Sequence, residues 1–147
     1  MNEKITLKGE QGKIEIDLLH FEQPNPLGVA DDDWITSRMK IEVPPFSGDF
    51  EISLVTGEVK HFRDALAPAV ASLSGNVSFE NLENDFSLQI EFDGHGGALI
   101  KATAGPHGPL GPVLTFRLKA DQSCLRETLR DLDRAIKKFG EKPTGAR

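Results

Sequence analysis

A chain of 147 residues, 38% of them hydrophobic, is long enough to bury one core without disulfides or metal, and no run approaches the roughly 18 consecutive apolar residues of a membrane-spanning helix. The formal charge of −6 is uneven: from Arg117 onward nine Lys or Arg stand against five Asp or Glu, which leaves about −10 on residues 1–116. Such a surface repels nucleic acid and suits a basic protein partner; with no export signal at Met1-Asn2-Glu3-Lys4 and one unpaired cysteine, Cys124, the expectation is a cytoplasmic protein with neither a nucleic-acid nor a membrane partner.

Alternation of apolar and polar residues marks half-buried strands, because successive side chains of a strand point to opposite faces. Ile5 and Leu7 open a first strand, and Ile14, Ile16 and Leu18 form a second after a turn at Gly9 to Gly12. A loop rich in proline and acid follows and ends in Asp31-Asp32-Asp33. Residues 34–43 then set Met39, Ile41 and Val43 against Arg38, Lys40 and Glu42, and Pro44-Pro45 stops this third strand. Phe50, Ile52 and Leu54 alternate with Asp49, Glu51 and Ser53 in a fourth, which makes a hairpin with the third.

At Thr56 the period changes. Val59, Phe62, Leu66, Ala69, Val70 and Leu73 recur at the spacing of one helix face, with Thr56 as the expected N-cap and Glu58 at the positive end of the helix dipole. Pro68 removes a backbone donor, so a kink or break is expected near Ala67, with the helix ending at Gly75. Period two returns in Val77 and Phe79, in Phe86 to Phe92, and in Ala98, Ile100 and Ala102, with turns at Asn81 to Asn84 and at Asp93-Gly94-His95-Gly96-Gly97. After the proline-containing loop Gly105 to Pro112, Leu114, Phe116 and Leu118 mark a last strand. Asp121 caps a final helix striped by Leu125, Leu129, Leu132, Ile136 and Phe139 and stopped at Gly140; Glu141 to Arg147 forms a tail. The fold expected is a single α+β domain over residues 1–140: a mostly antiparallel, twisted sheet of about eight strands with two helices on one face. Its open face would carry Glu15, Asp17, Arg38, Lys40, Glu42, Asp49, Glu51, Gln89, Glu91, Lys101, Arg117 and Lys119.

Chemistry-bearing patterns are weak. No spacing sets a Ser, Thr or Cys beside His20, His61, His95 or His107 with a third group to orient the base. Cys124 lies in the first turn of the last helix, where the dipole could lower a thiol pKa, although a free cysteine more often packs beneath its helix. The glycine-rich segment around His95 leads into a strand, not the helix N-terminus a phosphate loop requires, and the four histidines lack ligand spacing. Asp31-Asp32-Asp33 lacks the staggered ligands and glycine of a calcium loop. The sequence therefore calls for no catalytic residue, no cofactor and no metal. Trp34, the only tryptophan, reads either as an interface anchor or as a plug at the sheet edge.

The order of signals resembles the WapI-type immunity proteins, small bacterial proteins encoded beside polymorphic contact-dependent toxins. The similarity runs from Asp33-Trp34 through Phe46-Ser47-Gly48, Thr56-Gly57-Glu58 with Phe62 and Leu66, and Leu73-Ser74-Gly75. It continues in Phe79, Glu83, Leu88, Phe92-Asp93-Gly94-His95-Gly96 and Asp121-Gln122-Ser123 with Leu125, so it covers residues 31–139. The chain departs from the pattern in having no tyrosine after Leu66, in Pro68, and in Gly105 to Pro112. The resemblance implies a cytoplasmic, non-catalytic antitoxin that binds the toxic domain of its cognate effector and occludes its active site or substrate groove. Charge and predicted exposure then point to Asp31, Asp32, Asp33 and Trp34 as partner contacts, and after them to Asp49, Glu51, Glu91 and Asp93. The rival is a small-ligand-binding or hydrolytic protein using His95 and neighbouring acids, which requires a concave pocket holding a group of shifted pKa. Burial of the sheet face in a homo-oligomer is opposed by the charge on that face.

Overall fold

The computed structural model describes residues 3–22 and 34–139. Asp31, Asp32 and Asp33, the Gly140 stop and the tail Glu141 to Arg147 lie outside the described residues. The elements are β1 (Glu3–Gly9), β2 (Gly12–Phe21), β3 (Trp34–Val43), β4 (Phe46–Val55), α1 (Thr56–Ser72), β5 (Asn76–Glu80), β6 (Phe86–Phe92), β7 (Gly97–Ala104), β8 (Leu114–Asp121) and α2 (Gln122–Phe139).

The eight antiparallel strands divide into two sheets of four, β1-β2-β3-β4 and β5-β6-β7-β8, each a meander in chain order, and do not form one sheet. Period two fixes which side chains share a face but leaves open which strands are neighbours across a helical crossover, and here α1 carries the chain from one sheet to the next. Both inner faces drain into one core. Ile5, Ile16 and Leu54 of the first sheet, Phe79 and Leu88 of the second, Val59 and Phe62 of α1 and Leu132 of α2 surround a single small internal gap. Fully buried Leu and Ile side chains of this kind stabilise by about 1.5–3 kcal/mol each. Both helices thus contribute side chains to the core the two sheets share.

Local departures from period have local causes. Between β2 and β3 the register shifts at Leu18/His20, and the extra residue, Leu19, brings Phe21 opposite Ile35 on the core side. Phe21 there meets Phe139 edge-on at 5.5 Å between ring centres. Two glycines make the β1–β2 turn possible: a Cβ on Gly12 would lie 2.2 Å from the Glu42 carbonyl oxygen, and one on Gly9 2.8 Å from that of Lys119. Pro68 neither breaks α1 nor ends it, since the helix runs unbroken from Thr56 to Ser72. Its N-cap is Val55, not Thr56: the Glu58 carboxylate reaches back to the Val55 amide at 2.7 Å. Leu73, in the left-handed region at φ 61°, closes the helix two residues before Gly75.

Long-range polar bonds lock the layers. Thr128 of α2, fully buried, donates to the Thr6 carbonyl at 2.8 Å, and the Thr6 amide donates to Asp131 at 3.0 Å. Together they satisfy both backbone groups of Thr6 on the outer edge of β1. Glu10 donates its amide to the Lys119 carbonyl at 2.8 Å, which ties the first sheet to β8. Gln122 donates to the Val70 carbonyl at 3.0 Å and Arg63 pairs with Asp133 at 2.8 Å, joining α2 to α1.

Candidate partner-binding surface

Splitting the strands into two sheets also splits the expected open platform into two faces. On the first sheet, register sets Lys4, Asp17, Arg38 and Glu51 opposite one another in one row, and Thr6, Glu15, Lys40 and Asp49 in the next. Charge alternates across each row, and neighbouring pairs hold it: Arg38 meets Asp49 at 2.6 Å, Lys13 meets Glu15 at 3.4 Å and Lys4 meets Glu15 at 3.8 Å. The alternation runs out at β4, an edge strand that carries two acids and no base.

The outer face of the second sheet has the rows Asn76, Glu91, Leu99, Lys119; Ser78, Gln89, Lys101, Arg117; and Glu80, Ser87, Thr103, Thr115. Two open grooves meet on it at Thr115. One of about 900 Å³ runs under Gly57, Glu58 and His61 in the first two turns of α1. The other, about 650 Å³, lies between β8 and the first sheet's turns, where Pro44 and Phe46 face Arg117 and Lys119. The first end is acidic and the second basic with an apolar rim; Phe46 is 60% exposed. At the tip of the β5–β6 turn Leu82, 71% exposed, stands among Glu80, Glu83 and Asp85.

The residues expected as partner contacts are distributed over these faces. Trp34 is half-buried at the start of β3, opposite Val55. Asp49 and Glu51 lie on β4 of the first sheet. Glu91 lies on the second, paired with Lys101 at 3.3 Å. Asp93 serves its own turn: its carboxylate accepts from the amides of His95 at 2.7 Å and Gly97 at 3.0 Å, and these bonds hold its pKa below the usual carboxylate value. His95 lines neither of these two grooves.

Asp121 caps α2 as the sequence predicts, accepting from the Cys124 amide at 2.9 Å and the Ser123 hydroxyl at 2.8 Å. Burial, then the Asp121 carboxylate, pushes the Cys124 thiol up, against the direction a reactive thiolate needs. Asn81 is a buried organiser that sequence reasoning treated only as a turn residue. Its Oδ1 accepts from the amides of Asp85 at 2.9 Å and Phe86 at 3.0 Å, and its Nδ2 comes within 3.5 Å of the Ser53 carbonyl, seating the β5–β6 turn on β4. Glu58 joins the same corner; desolvation raises its pKa despite its bonds to the Val55 and Leu82 amides. The only sequence signal for either role was a polar residue at a turn or first helical turn. Among the described residues no group of three or more His, Cys, Asp or Glu is placed to hold a metal ion, and no helix is long and apolar enough to cross a membrane.

Comparison with known proteins places these surfaces in context. The model of the immunity protein WapI-like family matches residues 5–140. A search of characterised proteins gives no significant sequence match. Among solved structures, the plant transcriptional regulator PBF-2 is similar with a TM-score of 0.52 at 9% identity, over 92% of this chain and 81% of that one. MRP1/MRP2 from Trypanosoma brucei gives 0.50 at 11% identity, over 99% and 88%. The CdiA-CT/CdiI toxin and immunity complex from Enterobacter cloacae gives 0.45 at 9% identity, over 80% and 99%. At these identities the likeness to PBF-2 and MRP1/MRP2 is one of fold alone.

Proposed function

This chain belongs to the immunity protein WapI-like family, and from that membership we propose that it is a non-catalytic antitoxin acting inside the cell, which binds the toxic domain of a cognate bacterial contact-dependent effector and covers the surface that domain needs for its activity. The match over residues 5–140 carries the reading, because it spans both sheets and both helices. Inhibition by occlusion needs shape, charge and stability, and no reacting group. The acidic first 116 residues favour a basic partner, for which complementary charge raises the association rate and narrows the choice of partner. In this reading Asp31, Asp32, Asp33 and Trp34 meet the partner first, with Asp49, Glu51 and Glu91 beside them, and Asp93 adds field from within its turn.

The test mixes the purified chain with the toxic domain of the effector encoded beside its gene, and measures complex formation and toxin activity together. A stable complex with activity suppressed is expected; a toxin that stays active and unbound refutes the reading. Replacing Asp31, Asp32 and Asp33 by Ser is expected to slow association about tenfold at low ionic strength and to weaken its salt dependence. Unchanged kinetics at low salt would remove that loop from the interface.

A further inference from the structure

The two sheets have four edges, β1, β4, β5 and β8. On the outer edge of β1 both backbone groups of Thr6 are taken by Thr128 and Asp131 of α2, on that of β8 the Lys119 carbonyl is taken by the Glu10 amide, and β5 lies along α1. On β4 the outward bonds lie at its C-terminal end, and the rest of the edge presents acids. The Val55 amide is bonded outward to Glu58 and the Ser53 carbonyl outward to Asn81. Since N–H and C=O of alternate residues point to the same side and the β3–β4 register is unbroken from Trp34↔Val55 to Val43↔Phe46, the backbone groups of Ser47, Asp49 and Glu51 also point outward. Among the described residues nothing is bonded to them.

We propose that this open segment of β4 is where the toxin docks, by adding an extended strand of its own with basic residues at alternate positions. The inference rests on the antitoxin reading and names the contact through which it works. Two outer-face rows end at this edge on an acid: Lys4, Asp17, Arg38, Glu51 and then a vacant place; Glu15, Lys40, Asp49 and then another; the row through Lys13 and Glu42 ends on Ser47. A lysine or arginine fits the next place in each of the two rows that end on an acid, since opposite charges attract and like charges repel across a strand pair. On the inner side of the same edge Phe46 is exposed, Phe50 is half-buried and Gly48 carries no side chain, so the intervening residues of the added strand are apolar. A second copy of this chain is disfavoured there, because pairing β4 with β4 sets Asp49 and Glu51 against the same acids. Backbone bonds supply affinity in this mode of recognition and the alternate side chains supply specificity.

Two kinds of variant separate the mode of docking from the function itself. Glu51→Pro removes an outward N–H while leaving the bonds to β3 intact, a position where an edge strand accepts proline. Asp49→Lys with Glu51→Lys reverses the row ends. Each is expected to weaken binding of the toxic domain encoded beside the gene by about tenfold or more, with the circular dichroism spectrum unchanged. Independently of any variant, the Ser47, Asp49 and Glu51 amides of the unaltered chain should exchange fast alone and become protected in the complex. A toxin that binds the unaltered chain, binds both variants equally well and leaves those three amides unprotected would overturn the edge while sparing the antitoxin reading. Absence of any complex with the unaltered chain would overturn both.

Discussion

Thr128→Val deletes one hydroxyl from the seam where α2 lies along β1. Thr128 is fully buried, and its Oγ1 donates to the Thr6 carbonyl at 2.8 Å and approaches the Cys124 carbonyl at 3.2 Å. Valine keeps the shape, so the cost is electrostatic: a net hydrogen bond is worth about 0.5–1.5 kcal/mol, and a buried acceptor left without its donor costs about 1–3 kcal/mol. The Cys124 carbonyl keeps its place in the helix, so one acceptor, that of Thr6, bears the loss. Destabilisation of about 1–2 kcal/mol is expected, a fall in Tm of roughly 3–6 °C for a domain of this size. Urea unfolding followed by circular dichroism measures it, and the midpoint should fall with the slope unchanged. Asp131→Asn, which keeps an acceptor for the Thr6 amide and loses only the charge toward Arg134, should cost less than about 1 kcal/mol. A Thr128→Val protein as stable as the unaltered chain would refute the claim that these bonds to Thr6 hold α2 on β1.

Asn81→Ala removes the acceptor for the Asp85 and Phe86 amides and should destabilise by about 1–3 kcal/mol, with the β5–β6 amides losing exchange protection first. Pro68→Ala restores a donor inside a continuous helix; with the loss of proline's restriction of the unfolded chain set against it, a net gain of about 1–3 kcal/mol is expected in thermal melts. Gly12→Ala drives a Cβ into the Glu42 backbone and should leave little folded protein, seen as loss of near-ultraviolet dichroism. The pH dependence has two arms. Glu58 has a raised pKa, so its contribution is fully present below the ordinary value of 4.5 and is lost as pH rises through the folded value; stability should increase as pH is lowered through that window, and the increase should vanish in Glu58→Gln. Asp93 and Asp121 have lowered pKa values, so their contribution holds above 3.8 and is lost as pH falls through the folded values, which thermal melts of Asp121→Ala in acid should show as a shallower decline.

Much of this fold is written in local pattern. Strict alternation in Ile14, Ile16, Leu18 and in Leu88, Ile90, Phe92 fixes strands and their inner faces, and Asp121 announces α2 because a cap is satisfied within three residues. The same period is silent about neighbours: the division into two sheets depends on where α1 delivers β5, which is settled by packing of Val59, Phe62 and Phe79. Pro68 misleads because tertiary burial of Leu66, Ala69 and Val70 outweighs one missing helical bond. The charged outer faces were legible residue by residue. Their rows were not, since a row requires register, and the alternation that ends on Glu51 and Asp49 appears only once β2, β3 and β4 are aligned. Thr128 and Asp131 act on Thr6 across more than 120 residues and leave no local trace, and Asn81 shows in the sequence only as a turn residue although it also reaches Ser53.

The central claim is that this protein protects by binding. Its most direct measurement is survival of bacteria expressing the toxic domain encoded beside the gene, with and without this chain, scored together with co-purification of the two. The account predicts rescue and a recovered complex. Cells that die at the same rate, with toxin recovered free of this chain, would contradict it.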